Sequence, residues 1–353
     1  QEDLLHLEFW ETFGLNTNKI NSIRIIEKSG LLNTFTTKNE ERYYLGYNLL
    51  EDYLGAKMIV ETHTDKSELR EYIKNDVLGI CNGKISKPNN RDLYIAICSL
   101  FAEKYNEECI DIIEKINENY NLTLLYHSYI NSYNLRKANT INSKYFIDFV
   151  NKHQIEPKIV FSMLIENSTK INHPLNAEFL HSILINKSLN NRDLMWTMFI
   201  NDIDDSQRII QLINYFNEGN TLSGLTADNI FLLLILFTWL LTSSNRFTRD
   251  IASKAMIELL KSNFQFCLPL LRKFESVNDP YVFQRLYGIV FGTCVKRTSV
   301  YENDYKSLAE YVYENIFAKK EVYPDVLLRD YARLIIERYL FELSVKILRS
   351  RDD

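Results

Sequence analysis

The sequence predicts an all-α protein in which a helical-repeat solenoid follows a small winged-helix-like segment. Three observations predict it. Turn formers are scarce: 10 Gly and 6 Pro in 353 residues fall well below the usual ~7% and ~5%, as long helices with short connections require. Amphipathic segments follow one another from about residue 64 onward. An Arg-Asp motif on an apolar helix also recurs 80 residues further on, at 249 and 329, which fits two repeats of ~40 residues.

The first sixty residues differ from the rest. Phe35 with Thr34, Thr36 and Thr37, and the segment 42–47, are β-prone runs flanking the polar Lys38-Asn39-Glu40-Glu41, the pattern of a small hairpin. Helical segments are expected on either side, over 4–13 and 49–60. Helix, two-stranded wing and helix together fit a winged-helix-like segment over residues 1–62, with an irregular helical hairpin as the alternative that periodicity does not separate from it; 63–353 is then the repeat domain, with its clearest helix pairs in 228–349. Within that domain Arg91-Asp92 opens a helix with Leu93, Ala96, Ile97, Leu100 and Phe101 on one face. Glu107-Glu108 opens another, with Cys109, Ile110, Ile113 and Ile116. Asn191-Arg192-Asp193-Leu194 begins a third and echoes Asn90-Arg91-Asp92-Leu93. His173-Pro174 marks a further start.

Three helix pairs then follow. Arg249-Asp250-Ile251-Ala252 and Arg329-Asp330-Tyr331-Ala332 lie on the first and last, and Asp279-Pro280-Tyr281-Val282 starts the middle one, with Asp279 as N-cap and Pro280 at the first helical position. The first stripe is Ile251, Ala252, Ala255, Met256, Leu259 and Leu260. The last is Leu327, Leu328, Tyr331, Ala332, Ile335, Ile336, Tyr339 and Leu340. One helix pair cannot bury such stripes without a neighbour. The apolar run 230–241 is too short for the ~20 residues that cross a bilayer and reads as a central buried helix.

Composition narrows the function classes. An apolar fraction of 46% excludes wholesale disorder, and a net charge of −5 with both signs scattered gives no basic stripe for a phosphate backbone. Nucleic acid and membrane are therefore not expected partners. Cys81, Cys98, Cys109, Cys267 and Cys294 are odd in number with no CxxC pair, which suits buried thiols in a reducing, cytoplasmic compartment. A start at Gln1 suggests an excised fragment.

Thr248-Arg249-Asp250-Ile251-Ala252-Ser253-Lys254-Ala255 and Leu328-Arg329-Asp330-Tyr331-Ala332-Arg333-Leu334-Ile335 resemble the second helix of HEAT repeats, within a broader HEAT/TPR-like class. Phe283 and Leu286 depart from that pattern where its arginine and first alanine would stand. Tyr43-Tyr44-Leu45-Gly46-Tyr47-Asn48-Leu49-Leu50-Glu51-Asp52-Tyr53-Leu54-Gly55-Ala56 resembles the end of the winged helix in NACHT-type STAND NTPases. There it closes the ATPase core and hands on to a superhelical sensor. The run from Leu241 through Ala255, with 278–282 and 328–335, resembles the sensor region of bacterial antiviral STAND proteins of the AVAST group. The resemblance implies a sensor fragment beginning just after an absent ATPase core. It further implies a phage terminase or portal protein as ligand, antiviral defence as role, and ligand-induced homo-oligomers.

No catalytic motif is legible, so the chain is expected not to be an enzyme and to hold no cofactor. Gly79-Ile80-Cys81-Asn82-Gly83-Lys84-Ile85-Ser86 has three residues between its glycines and Ile85 after its lysine, where a P-loop needs four and a Ser or Thr. It reads as a helix-ending turn. The histidines His6, His63, His127, His153, His173 and His181 show no i, i+4 pair or HExxH motif, so no metal site is expected. The Arg-Asp dipeptides could line up arginines to grip an acidic partner, but Arg249, Asp250, Asp279, Arg329 and Asp330 read first as structural repeat positions, the Asp serving the helix N-terminus and the Arg pairing with a neighbouring repeat. Aromatics at 13% are rich for a core alone, and Tyr281, Arg285 and Tyr287 are the candidate partner contacts, with Tyr311 and Tyr313 as further exposed tyrosines. The alternative to a phage sensor is a HEAT-type scaffold with a host partner.

Overall fold

A computed structural model describes residues 4–5, 25–37, 40–81, 84–110, 119–202, 208–218, 224–297 and 302–352. The protein is predominantly helical, with sixteen α-helices and two small antiparallel sheets among the described residues. The all-α expectation holds at that level. The chain divides into two compact units, Gln1–Ile141 and Asn142–Asp353.

The first unit opens on a three-stranded antiparallel sheet of order β1-β3-β2, with β1 at Leu4–Leu5, β2 at Leu32–Thr37 and β3 at Glu40–Leu45. The hairpin predicted from the threonine-aromatic runs is present, in a register that sets Leu32 opposite Leu45 and Thr34 opposite Tyr43. Leu32, Tyr43 and Leu45 form a small apolar cluster, since diagonal partners share one face of the sheet. The helix expected over 4–13 is not seen at its start: Leu4 and Leu5 pair with Tyr43 and Arg42 as a strand, backbone pairing with an existing edge having overridden local helix propensity. Its remainder lies outside the described residues.

Helix α1, Asn48–Thr62, follows the hairpin and buries Ala56 and Val60 against α3, Arg91–Tyr105. Between them α2, Lys66–Tyr72, is capped by Asp65, whose carboxylate accepts from Ser67 N at 2.8 Å and Glu68 N at 2.9 Å. It widens into a π-turn at Ile73–Val77. Gly79, at φ +61°, then reverses the chain into a hairpin of β4, Ile80–Cys81, and β5, Lys84–Ile85. Gly79 thus follows the end of a helical segment, as expected, but the glycine-lysine stretch continues as paired strands, which the expected turn did not include. Helix α3 buries more than the one face expected: Tyr94 to Ser99, Phe101 and Ala102 are all inside, because it packs on both α1 and α4, Asn119–Ser132. Most of the helix expected from Glu107 falls on residues that are not described. Glu108 instead pairs with the buried Arg136 at 2.7 Å and accepts a hydrogen bond from the Tyr129 hydroxyl.

The second unit runs through α5, Ser143–Lys152, α6, Pro157–Asn167, and α7, Ala177–Ile185. His173-Pro174 is not a helix start. It lies in the turn before α7, whose cap is Asn176, accepting from Glu178 N at 3.0 Å; an Asn side chain there serves the free amides that Pro cannot. Next come α8, Leu189–Arg192, a π-turn at Asp193–Thr197 and α9, Met198–Asn201. Asn191-Arg192-Asp193-Leu194 therefore interrupts a helical run rather than opening it. The remaining helices are α10, Arg208–Asn217, α11, Ala227–Leu240, α12, Arg246–Leu260, α13, Cys267–Lys273, α14, Pro280–Lys296, α15, Glu302–Ile316, and α16, Val326–Asp352.

Their contacts alternate. Helix α12 packs on α10 and α11 before it and α14 after it; α14 packs on α16, and α13 on α15. Helix α11 buries every residue from Leu232 to Leu240, as expected for its continuous apolar run, and packs on α7 and α12. All six predicted stripe residues of α12 are buried, the larger ones worth about 1.5–3 kcal/mol each. On α14, glycines let the neighbours approach closely: a Cβ at Gly292 would lie 2.8 Å from Ile257 Cδ1, and one at Gly288 3.1 Å from the Tyr331 ring. No helix among the described residues is long and apolar enough to cross a membrane.

Candidate functional site

The N-terminal ends of α12, α14 and α16 share one register. Asn245, Asp279 and Asp325 cap them: Asn245 accepts from Phe247 N at 2.9 Å, Asp279 from Tyr281 N at 3.2 Å, and Asp325 from Leu328 N at 2.9 Å. Short polar side chains satisfy amides that the first turn leaves free. The third residue of each helix, Thr248, Val282 or Leu328, is buried. The second, Phe247, Tyr281 or Leu327, points the other way and is 53%, 40% and 56% exposed. Three alternate helices thus present a large apolar side chain from the same position.

Arginines hold this edge together. Arg285 on α14 donates to Asp250 on α12 at 2.9 Å and, through Nε, to the Tyr281 hydroxyl at 2.9 Å. Arg246 pairs with the other Asp250 oxygen at 3.3 Å. The guanidiniums of Arg249 and Arg285 lie 5.1 and 5.4 Å from the Tyr281 ring centre, within range for cation–π attraction. Burial pushes the Asp250 carboxyl up, but hydrogen bonds and charge from Arg285 and Arg246 outweigh it and leave it below the usual carboxylate range. Both members of the Arg-Asp dipeptide reach the next helix: Asp250 pairs with Arg285, where Asp was expected to serve its own helix start, and Arg249 lies against the Tyr281 ring while also donating to Ser243 O at 2.6 Å, just before its own helix.

The other predicted positions separate. Asp330 pairs with Arg333 at 2.7 Å and Arg333 with Glu337 at 2.7 Å on the exposed face of α16, worth a few tenths of a kcal/mol each. Arg329 occupies the place of Arg249, and the Nε of both is buried without a hydrogen-bond partner among the described residues. Phe283, where that arginine is missing, packs edge-on against Tyr287 at 5.1 Å. Tyr287 is fully buried and burial raises its hydroxyl pKa, so it is a core residue and not a surface contact. Tyr311 is buried too, whereas Tyr313 is exposed.

Sequence reading missed the residue that fixes this edge from below. Arg192 is completely buried, donates to Asn278 and to Asp279 at 3.2 Å, and stacks 5.5 Å from the Trp239 ring. It thereby ties the cap of α14 to the π-turn, where one extra residue per turn brings Trp196 into the core, its Nε1 donating to Trp239 O at 2.9 Å. The same turn leaves Leu194 and Met198 exposed. At its far end Asn201 accepts from Ser243 and Ser244, each at 3.0 Å, ahead of α12. The Arg-Asp echo at 192 was the signal, but charge on an apolar segment reads as surface until the partner helix is known.

Among the described residues no group of three or more His, Cys, Asp or Glu could hold a metal ion. His181 is buried, 4.7 Å from Phe274 and 5.7 Å from Trp239. Burial, with Lys273 nearby, pushes its pKa down to about 4. What the edge offers chemically is a row of three exposed apolar side chains, the middle one, Tyr281, set against two guanidiniums; aromatic and arginine side chains are enriched at protein interfaces. No family model, no curated protein and no solved structure matches this chain.

Proposed function

We propose that this chain is a protein-recognition module, and that its ligand docks on helix pairs stacked as a HEAT/TPR-like solenoid. The observation that carries the reading is the shared register at which α12, α14 and α16 present Phe247, Tyr281 and Leu327 on capped, mutually bonded helix starts. Binding energy concentrates in pre-organised aromatic and arginine anchors of this kind. The repeat assignment is supported by the sequential packing of α10, α12, α14 and α16, and the winged-helix assignment by the β2–β3 hairpin leading into α1.

On the family resemblance, the ligand is a phage structural protein such as a terminase or portal subunit. The chain is then the sensor region of an antiphage STAND NTPase, and binding triggers an upstream NTPase and effector, with ligand-induced homo-oligomers as the active form. The reading gives this chain no catalytic role and no cofactor, and places it in the cytoplasm. Retention on the immobilised chain, followed by mass spectrometry, tests it with lysates of phage-infected and uninfected cells. A terminase or portal protein retained only after infection supports the sensor. A host protein retained from both lysates replaces it with the scaffold reading, and no retained phage protein across a broad panel ends the sensor assignment.

A further inference from the structure

The edge carrying Phe247 and Tyr281 also has a charge, and that charge selects a class of partner. Arg246, Arg249 and Arg285 are linked through Asp250 and the Tyr281 ring. Three guanidiniums against one carboxylate leave an excess of two positive charges, in a chain whose net charge is −5. Asp279 does not offset it, since the buried Arg192 already neutralises that carboxylate. The first turns of α12 and α14 add the partial positive charge of helix N-termini. Arg246 is the outermost member, its side chain 85% exposed, and it stands beside the exposed Phe247.

We infer that this edge binds an acidic protein segment, with Phe247 and Tyr281 covered by its apolar side chains and Arg246 and Arg285 meeting its carboxylates. The inference rests on the recognition reading and narrows it to one surface and one ligand chemistry. Tyr281 is the anchor: its ring is held by two guanidiniums and its oxygen by Arg285, so little side-chain freedom is lost on binding. Arg246 supplies attraction at the rim, where charge acts on encounter and selectivity and is screened by salt. A basic segment would meet like charge.

The test is selection of a displayed random peptide library on the full 353-residue chain, with affinities of the selected peptides measured at low and high salt. Enriched peptides should combine Asp or Glu with aromatic or aliphatic residues and weaken as salt rises. Tyr281→Ala should weaken them about 30-fold and Arg246→Glu about tenfold, with the unfolding midpoint of the Arg246→Glu protein unchanged. No enrichment, enrichment without an acidic bias, or affinities that ignore both substitutions would overturn the inference. A phage protein retained equally by the wild-type and Arg246→Glu chains would leave the recognition module standing and remove this edge from it.

Discussion

Helices α12 and α16 begin alike and end differently. Each starts with a capping Asn or Asp, an exposed apolar second residue, a buried third and an Arg-Asp pair. Helix α12 buries its whole predicted stripe between α10, α11 and α14. Helix α16, which packs chiefly on α14 and α15, buries Leu328, Ala332 and Ile335 but leaves Leu327, Leu340, Phe341 and Ile347 exposed. An apolar stripe states what a helix can bury; only the number of neighbours decides what it does bury.

The contrast can be broken most severely from below α14, which lies between the two. Arg192→Leu leaves the Asp279 carboxylate without its buried guanidinium and Asn278 without its donor, and should cost about 3–5 kcal/mol in urea-induced unfolding. A loss below ~1 kcal/mol would mean that α14 holds its place without this pin. In the core beside it, Met256→Ala on α12 should cost about 2–4 kcal/mol. The same truncation at Phe341 of α16 should cost less than ~0.5 kcal/mol. Equal losses at the two positions would abolish the distinction between a helix packed on two sides and one packed on fewer.

Acid should act on the second unit through His181 of α7, which faces Trp239 of α11 and Phe274. Its folded pKa of about 4 lies below the ordinary 6.5, so the unfolded chain binds the proton first. This group's contribution is therefore intact above about pH 6.5 and is lost as pH falls toward 4, by about 3 kcal/mol. Stability measured across that window should fall less steeply in His181→Gln than in the wild type. The smallest expected effect is on the exposed face of α16, where Leu340→Ser with Phe341→Ser should leave the unfolding midpoint nearly unchanged while lowering self-association, followed by light scattering.

The apolar periodicity of α12, the unbroken run of α11 and the Asp279-Pro280 start were each legible because the signal lies within one helix and needs no partner. The strand at Leu4–Leu5 was not, since a strand's identity comes from the edge it joins. The site divides in the same way. Tyr281 and Arg285 could be named from their residue types, and Tyr287, on the same helix and of the same type as Tyr281, could not be told from it. The six-residue spacing places them on different faces, but which face meets a neighbour is not written in the helix itself.

By itself the sequence determined the helical class, the positions at which α11, α12 and α14 run, and the Asp279 cap that starts α14, because propensity, capping and periodicity are local properties of the chain. Tertiary structure alone decided that Arg192 is buried beneath the cap of α14, that Asp250 pairs with Arg285 on the next helix, and that Phe247 and Tyr281 face outward together. Those outcomes depend on contacts between residues 30 to 90 positions apart, for which a linear pattern carries no distance.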